Sequence, residues 1–103
     1  MTTASTVART PAIKPRLLFF TSSVSGQCRR VEGFLAQVLQ RRRNHGTFQV
    51  VVVDEGKRPD VVDRFGVTEL PTLVVVADHA ERGRLERPRG CKEIEELLGP
   101  WLR

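Results

Sequence analysis

Blocks of hydrophobic and polar residues divide the chain into short elements. The run RLLFF at 16–20 follows a proline and is typical of a buried strand. From Gly26 the apolar positions recur at helical spacing, which predicts a helix to about Arg43, ended by NHG. FQVVVVD at 48–54 is apolar at nearly every position, which is typical of a strand covered on both faces in a parallel sheet. Together these elements predict a βαβ unit.

The second half of the chain predicts a short helix, a hairpin and a final helix. PDVVDRF at 59–65 begins with a proline suited to the first helical turn, and Gly66 ends it. TLVVVA at 72–77 is a strand, DHAERG is a turn, and RLERP at 84–88 is a weaker strand. A final helix is expected at Cys91–Leu98. The order βαβ-α-ββα predicts an α/β domain with a mixed four-stranded sheet and helices on both faces.

The length of 103 residues is that of one domain, which we assign to residues 16–103. Residues 1–15 are polar, and we expect them to form a mobile tail. No run of about 20 apolar residues is present, so no membrane span is predicted. The first residues lack the apolar core of a secretory signal, and we therefore expect a cytoplasmic location.

The charge pattern favours no charged partner or bound cofactor. The net charge is +5, but the cations are scattered apart from Arg29-Arg30 and Arg41-Arg42-Arg43, and there is no Tyr. This distribution argues against a nucleic-acid binder. The three arginines at 41–43 are expected to complement the dipole at the end of the first helix. The alternative is that they bind an acidic partner. His45 and His79 are expected in solvated loops, and with two separated cysteines they predict no metal site or cofactor.

Two stretches carry a resemblance to the thioredoxin superfamily over about residues 16–98. They are SGQC after the first strand and DRFGVTELPTLVVV before and within the third. The resemblance implies a thioredoxin-like fold in which the Leu70–Pro71 bond is cis and faces the start of the first helix. A cis bond before proline costs only about 0.5–1 kcal/mol. The alternative is a trans proline that opens an edge strand.

The dithiol motif of that family, Trp-Cys-x-x-Cys, is incomplete in this chain. The aligned residues are Val24-Ser25-Gly26-Gln27-Cys28. Ser25 therefore stands at the position of the attacking cysteine, and Phe19 at the position of the family's buried acid. An alcohol does not ionise there, so we expect no dithiol oxidoreductase activity. Ser25 is instead a good N-cap whose oxygen accepts from the amide of Gln27 or Cys28.

Two functions fit these residues. The first, which we favour, is a non-catalytic binding or regulatory module that pairs with an extended protein or peptide segment. It would use the cis-proline face, which comprises Val24, Gly26, Gln27, Leu70, Pro71 and Thr72. The second is a thiol-redox protein that works through Cys28, alone or paired with Cys91.

Each cysteine can have either a redox role or a purely structural one. Cys91 opens the last helix, where the dipole and nearby cations lower a thiol pKa. The Ser25-x-x-Cys28 spacing also resembles the peroxiredoxins, with Thr21 at their proline position. Without a redox role, Cys28 is apolar filling and Cys91 is a small first-turn residue. We expect the two cysteines near each other but not bonded, with Cys28 the more buried.

Overall fold

The structure, a computed structural model, describes residues 14–102 apart from the side chains at positions 42, 43 and 45. Of the proposed tail, only Lys14 and Pro15 lie within the described residues. The strands are β1 (Arg16–Thr21), β2 (Gln49–Asp54), β3 (Thr72–Ala77) and β4 (Ala80–Glu86). The helices are α1 (Gly26–Gln40), α2 (Pro59–Arg64) and α3 (Cys91–Leu98), and a 3₁₀ helix spans Arg41–Gly46.

The four strands form one mixed sheet in the order β2-β1-β3-β4. Strand β1 runs parallel to β2 and antiparallel to β3, and β3 pairs with β4 as an antiparallel hairpin. This confirms the predicted α/β arrangement. None of the described helices is long and apolar enough to cross a membrane.

Helices cover both faces of the sheet, and the side chains of β1 alternate between the two cores. Leu17 and Phe19 point into the larger core with α1 and α3. Leu18 and Phe20 point into the smaller core, to which α2 contributes. Trp101 packs edge-on against Phe48, with ring centroids 6.2 Å apart, and so closes the end of the larger core.

Strand β2 lies at the margin of the sheet and is exposed on the face that carries Val50 and Val52, so the prediction that both its faces are covered is wrong. The amides of Gln49 and Glu55 donate to Pro15 and Thr21 on the β1 side. Because direction alternates along a strand, the backbone groups of Val50 and Val52 point outward, where the described residues place no strand. Their side chains extend past α1 and are 40% and 58% exposed.

Helix α1 ends at Gln40, three residues before the predicted end, and the chain continues as a 3₁₀ helix. The buried Asn44 fixes the tighter winding, because its amide donates to the Arg41 carbonyl at 2.7 Å and its oxygen accepts from Thr47. The arginine run therefore lies beyond the last turn of α1, where it was not expected. Arg41 instead forms an ion pair with Glu95 of α3.

The β3–β4 turn contains two residues, and β4 begins at Ala80 rather than at position 84. Asp78 and His79 both have positive φ, 54° and 64°, which is the backbone of a type I′ hairpin turn. The sequence pattern did not predict the first half of this strand because Ala80 to Arg82 are exposed and resemble a loop. A register irregularity between Val75 and Val76 also interrupts the alternation expected of the hairpin.

Candidate functional site

The loop after β1 ends at Ser25, which caps helix α1. Ser25 has extended backbone angles, and its Oγ accepts a hydrogen bond from the Cys28 amide at 3.2 Å. This agrees with the capping role predicted from the sequence. The hydroxyl therefore has a structural partner at the start of the helix. Val24, one residue earlier, is 91% exposed, and Gly26 and Gln27 are also exposed.

Cys28 lies one turn inside α1 and is 2% exposed, as expected. Its Sγ accepts a hydrogen bond from the Ser22 amide at 3.4 Å. The residue lines a groove between α1 and the ends of β1 and β2, whose walls include Phe19, Glu32 and Val52. The thiol is thus held at the floor of a shallow recess.

Cys91, the first residue of α3, is a free thiol that contacts α1 far from Cys28. Its Sγ donates toward the Gln37 side-chain oxygen at 3.2 Å and lies 3.7 Å from the Phe34 carbonyl. Phe34 and Gln37 are six and nine positions after Cys28, or about 9 and 13 Å along the helix axis. A disulfide requires Cα atoms about 4.4–6.8 Å apart. The two cysteines are unbonded as expected, but the fold does not bring them together.

The loop before β3 has the cis Leu70–Pro71 bond that the resemblance implies. Thr72 is fully buried, and its Oγ1 donates to the Glu69 carbonyl at 2.6 Å. The Pro71 ring is also buried, and its carbonyl accepts from the Arg87 amide at 2.7 Å. Leu70 is half-buried, and among residues 14–102 no hydrogen bond engages its backbone N–H or C=O. Pro71 and Thr72 therefore hold the loop, while Leu70 presents open backbone groups.

Arg87 joins the two halves of the cis-proline face. It follows β4 with a positive φ of 49°, and its guanidinium reaches Glu69 Oε1 at 3.3 Å and Gln27 Oε1 at 3.5 Å. Arg87 thus links the Pro71 loop to the first turn of α1. Sequence reasoning did not single out Arg87 or Glu69, because Arg87 belongs to no motif and Glu69 was noticed only as part of the stretch around Pro71.

The groups on this face are hydrogen-bond partners and charges, and no assembled metal site accompanies them. Within the described part of the chain, His, Cys, Asp and Glu form no group of three that could hold a metal ion. His79 lies exposed in the hairpin turn. Asp54 ends β2, and its Oδ1 accepts from the Gly56 amide at 2.8 Å, which orders the following loop.

The thioredoxin family model matches residues 4–99, which is nearly the whole chain. The chain belongs to the thioredoxin family. In this thioredoxin-family protein, Ser25 and Cys28 are the residues that the resemblance aligns with the two cysteines of the dithiol. The capping bond gives the Ser25 oxygen a structural partner, and the Cys28 sulfur is buried.

Solved thioredoxin structures share this fold at low sequence identity. Trxlp from Edwardsiella tarda is 19% identical with a TM-score of 0.75, and the match covers 92% of this chain and 94% of that one. Fasciola hepatica thioredoxin is 17% identical with a TM-score of 0.72, covering 86% and 82%. Mitochondrial thioredoxin 3 from Saccharomyces cerevisiae is 20% identical with a TM-score of 0.68, covering 81% and 74%. At these identities the likeness shows the fold alone. No curated protein matches the chain significantly in sequence.

Proposed function

We propose that this thioredoxin-family protein is a non-catalytic binding or regulatory module that holds an extended protein or peptide segment on its cis-proline face. The observation that carries the proposal is the open backbone of Leu70. Leu70 is half-buried, and its N–H and C=O lack a partner within the described residues. An extended segment running beside Leu70 would pair with both groups, as an added strand does.

The sulfur geometry supports binding over dithiol exchange. Exchange needs an attacking thiolate and a second thiol within bonding reach. Ser25 supplies a hydroxyl that is already engaged by the Cys28 amide. Cys91 lies against Phe34 and Gln37, about 9 Å or more along the helix from Cys28. Neither position provides a second sulfur to complete a dithiol with Cys28.

A thiol-redox protein working through Cys28 alone is the second candidate. The groove that Cys28 lines favours it, because this groove gives a substrate a path toward the sulfur. Burial of the sulfur opposes it, because a reactive thiol must be reached by its substrate. Brief iodoacetamide treatment at pH 7 followed by mass spectrometry separates the two. In a binding module, iodoacetamide should modify Cys91 and leave Cys28 unmodified. Rapid labelling of Cys28 would favour the redox candidate.

The binding proposal is tested by placing a thiol beside the face. In an S25C/C28S/C91S variant, the introduced thiolate attacks a peptide whose cysteine is a mixed disulfide with thionitrobenzoate. A protein–peptide disulfide forms and thionitrobenzoate leaves, which is followed by its absorbance. Two backbone hydrogen bonds to Leu70, worth about 0.5–1.5 kcal/mol each, would raise the rate roughly tenfold over a small cysteamine mixed disulfide.

The matched control is a C28S variant, which keeps Cys91 as its thiol. Cys91 lies at the start of α3 beside α1, so we expect it to react with the peptide and the cysteamine compound at similar rates. Circular dichroism checks that both variants keep the fold. Equal rates for the two probes in S25C/C28S/C91S would contradict the proposal.

A further inference from the structure

We propose that the cis-proline face selects an acidic segment, because Arg87 exchanges its internal partner Glu69 for a carboxylate of the bound chain. This inference rests on the proposed function and gives the partner its chemistry.

The backbone of Arg87 is fixed in a conformation that suits glycine better. Its amide donates to the Pro71 carbonyl at 2.7 Å, and its φ is 49°. A residue with a Cβ is strained there, whereas glycine is nearly free of that strain. The chain therefore keeps an arginine at a strained position beside an open peptide-pairing edge. Strain of this kind gathers at ligand-binding positions.

The guanidinium of Arg87 has hydrogen-bond partners, but they engage only some of its donors. Arg87 contacts Glu69 and Gln27 through one nitrogen each, at 3.3 and 3.5 Å, although a guanidinium has five donor hydrogens. The Arg87 and Glu69 side chains are 55% and 48% exposed. An exposed pair of this kind contributes little to stability, so its exchange costs little. A carboxylate on a bound segment could instead accept two parallel bonds from the fork, which is the stronger geometry.

The neighbouring charges favour an anion over a cation. Arg30 lies one turn after Gln27 on α1, and the first turn of that helix has no acidic residue. Glu69 faces Arg87 and is already paired with it. A basic segment would meet like charges at Arg30 and Arg87. An acidic segment gains the ion pair in addition to its bonds to Leu70.

The test compares three peptides of equal length in the S25C/C28S/C91S variant. Their mixed-disulfide cysteine is flanked, two residues away on each side, by Asp, Asn or Lys. We expect exchange rates in the order Asp, Asn, Lys, with Asp about three- to tenfold faster than Asn at low salt. Raising the ionic strength toward about 1 M shortens the Debye length to about 3 Å and should reduce the preference.

Three further substitutions show whether Arg87 carries the preference. R87G suits the positive φ and should bring the ratio of Asp to Asn rates to about one. E69Q removes the internal competitor and should raise that ratio. R82Q, which lowers the net charge by the same amount on an exposed part of β4, should leave the ratio as it was.

The outcomes separate this inference from the proposed function. An Asp preference that survives in R87G, or a ratio that does not rise in E69Q, would overturn the role of Arg87. Peptides that react faster than the cysteamine compound without any charge preference would leave the binding module standing and remove the acidic partner. If no peptide reacts faster than the small compound, the binding function itself fails.

Discussion

Residue 25 determines whether the first turn of α1 can hold a dithiol with Cys28. Its oxygen accepts from the Cys28 amide, so the chain uses the position to start the helix. A sulfur is a weaker acceptor but ionises far more readily than a hydroxyl. Capping and nucleophilic attack are thus competing uses of the same position.

The S25C substitution should therefore exchange stability for redox activity. It places a second sulfur three residues before Cys28, and we expect an oxidisable pair and measurable insulin reduction with dithiothreitol. The natural protein should be inactive in this assay. S25A is the matched control: it loses the cap, at about 1 kcal/mol of unfolding free energy, and gains no activity. Turnover by the natural protein at the rate of a dithiol thioredoxin would contradict this prediction.

Strand β4 and the end of helix α2 are joined through Arg84. Its guanidinium donates to the Phe65 carbonyl at 2.6 Å and makes two bonds to the Glu81 carboxylate, at 2.9 and 3.0 Å. The Arg84 side chain is 26% exposed, which makes it one of the more sheltered cations of the surface. This contact holds the short helix over the smaller core.

Replacing Arg84 with Met should lower the unfolding free energy by roughly 1–2 kcal/mol, chiefly because the Phe65 carbonyl loses its donor. Urea unfolding at pH 7 measures this. E81Q keeps the bond to Phe65 and should lose less. A loss in E81Q as large as that in R84M would assign the effect to the ion pair instead.

The same contact predicts a pH dependence. The hydrogen bond from Arg84 lowers the pKa of Glu81 below its ordinary value. The ion pair therefore stabilises the fold above the unfolded pKa of about 4.3, and this contribution is lost as the pH falls through the folded value. Between about pH 5 and 3, the unfolding free energy of R84M should fall less steeply than that of the natural protein.

Element order was predictable because each strand and helix carries its own local pattern. The errors lie where tertiary context decides. The valines of 50–53 predict a strand covered on both faces, but Val50 and Val52 are exposed. The end of α1 depends on the buried Asn44, and the hairpin turn depends on two non-glycine residues at positive φ.

The residues of the site likewise fall into those that the sequence predicts and those that depend on tertiary structure. Ser25 and Cys28 were found because a family motif marks their spacing, and Pro71 because its flanking residues are distinctive. Arg87 contacts Glu69 and Gln27 across 18 and 60 positions of sequence. No periodicity within one element encodes such a contact. It arises when β4 and the Pro71 loop end at the same edge of the sheet.

At the scale of the whole molecule, the margin of β2 governs how copies behave toward one another in concentrated solution. An exposed apolar strand edge is a template on which another strand can grow. Mutual repulsion from the net charge of +5 keeps such edges apart. The range of this repulsion is the Debye length, which falls from about 8 Å at physiological ionic strength to about 3 Å at 1 M salt.

Light scattering should therefore rise with added NaCl, whereas added salt should weaken the preference for acidic peptides. V52K should suppress the rise by charging the edge, whereas V24K, which adds the same charge on an exposed loop, should suppress it far less. Equal suppression by both variants would show that net charge alone, and not the strand margin, controls the solubility of this protein.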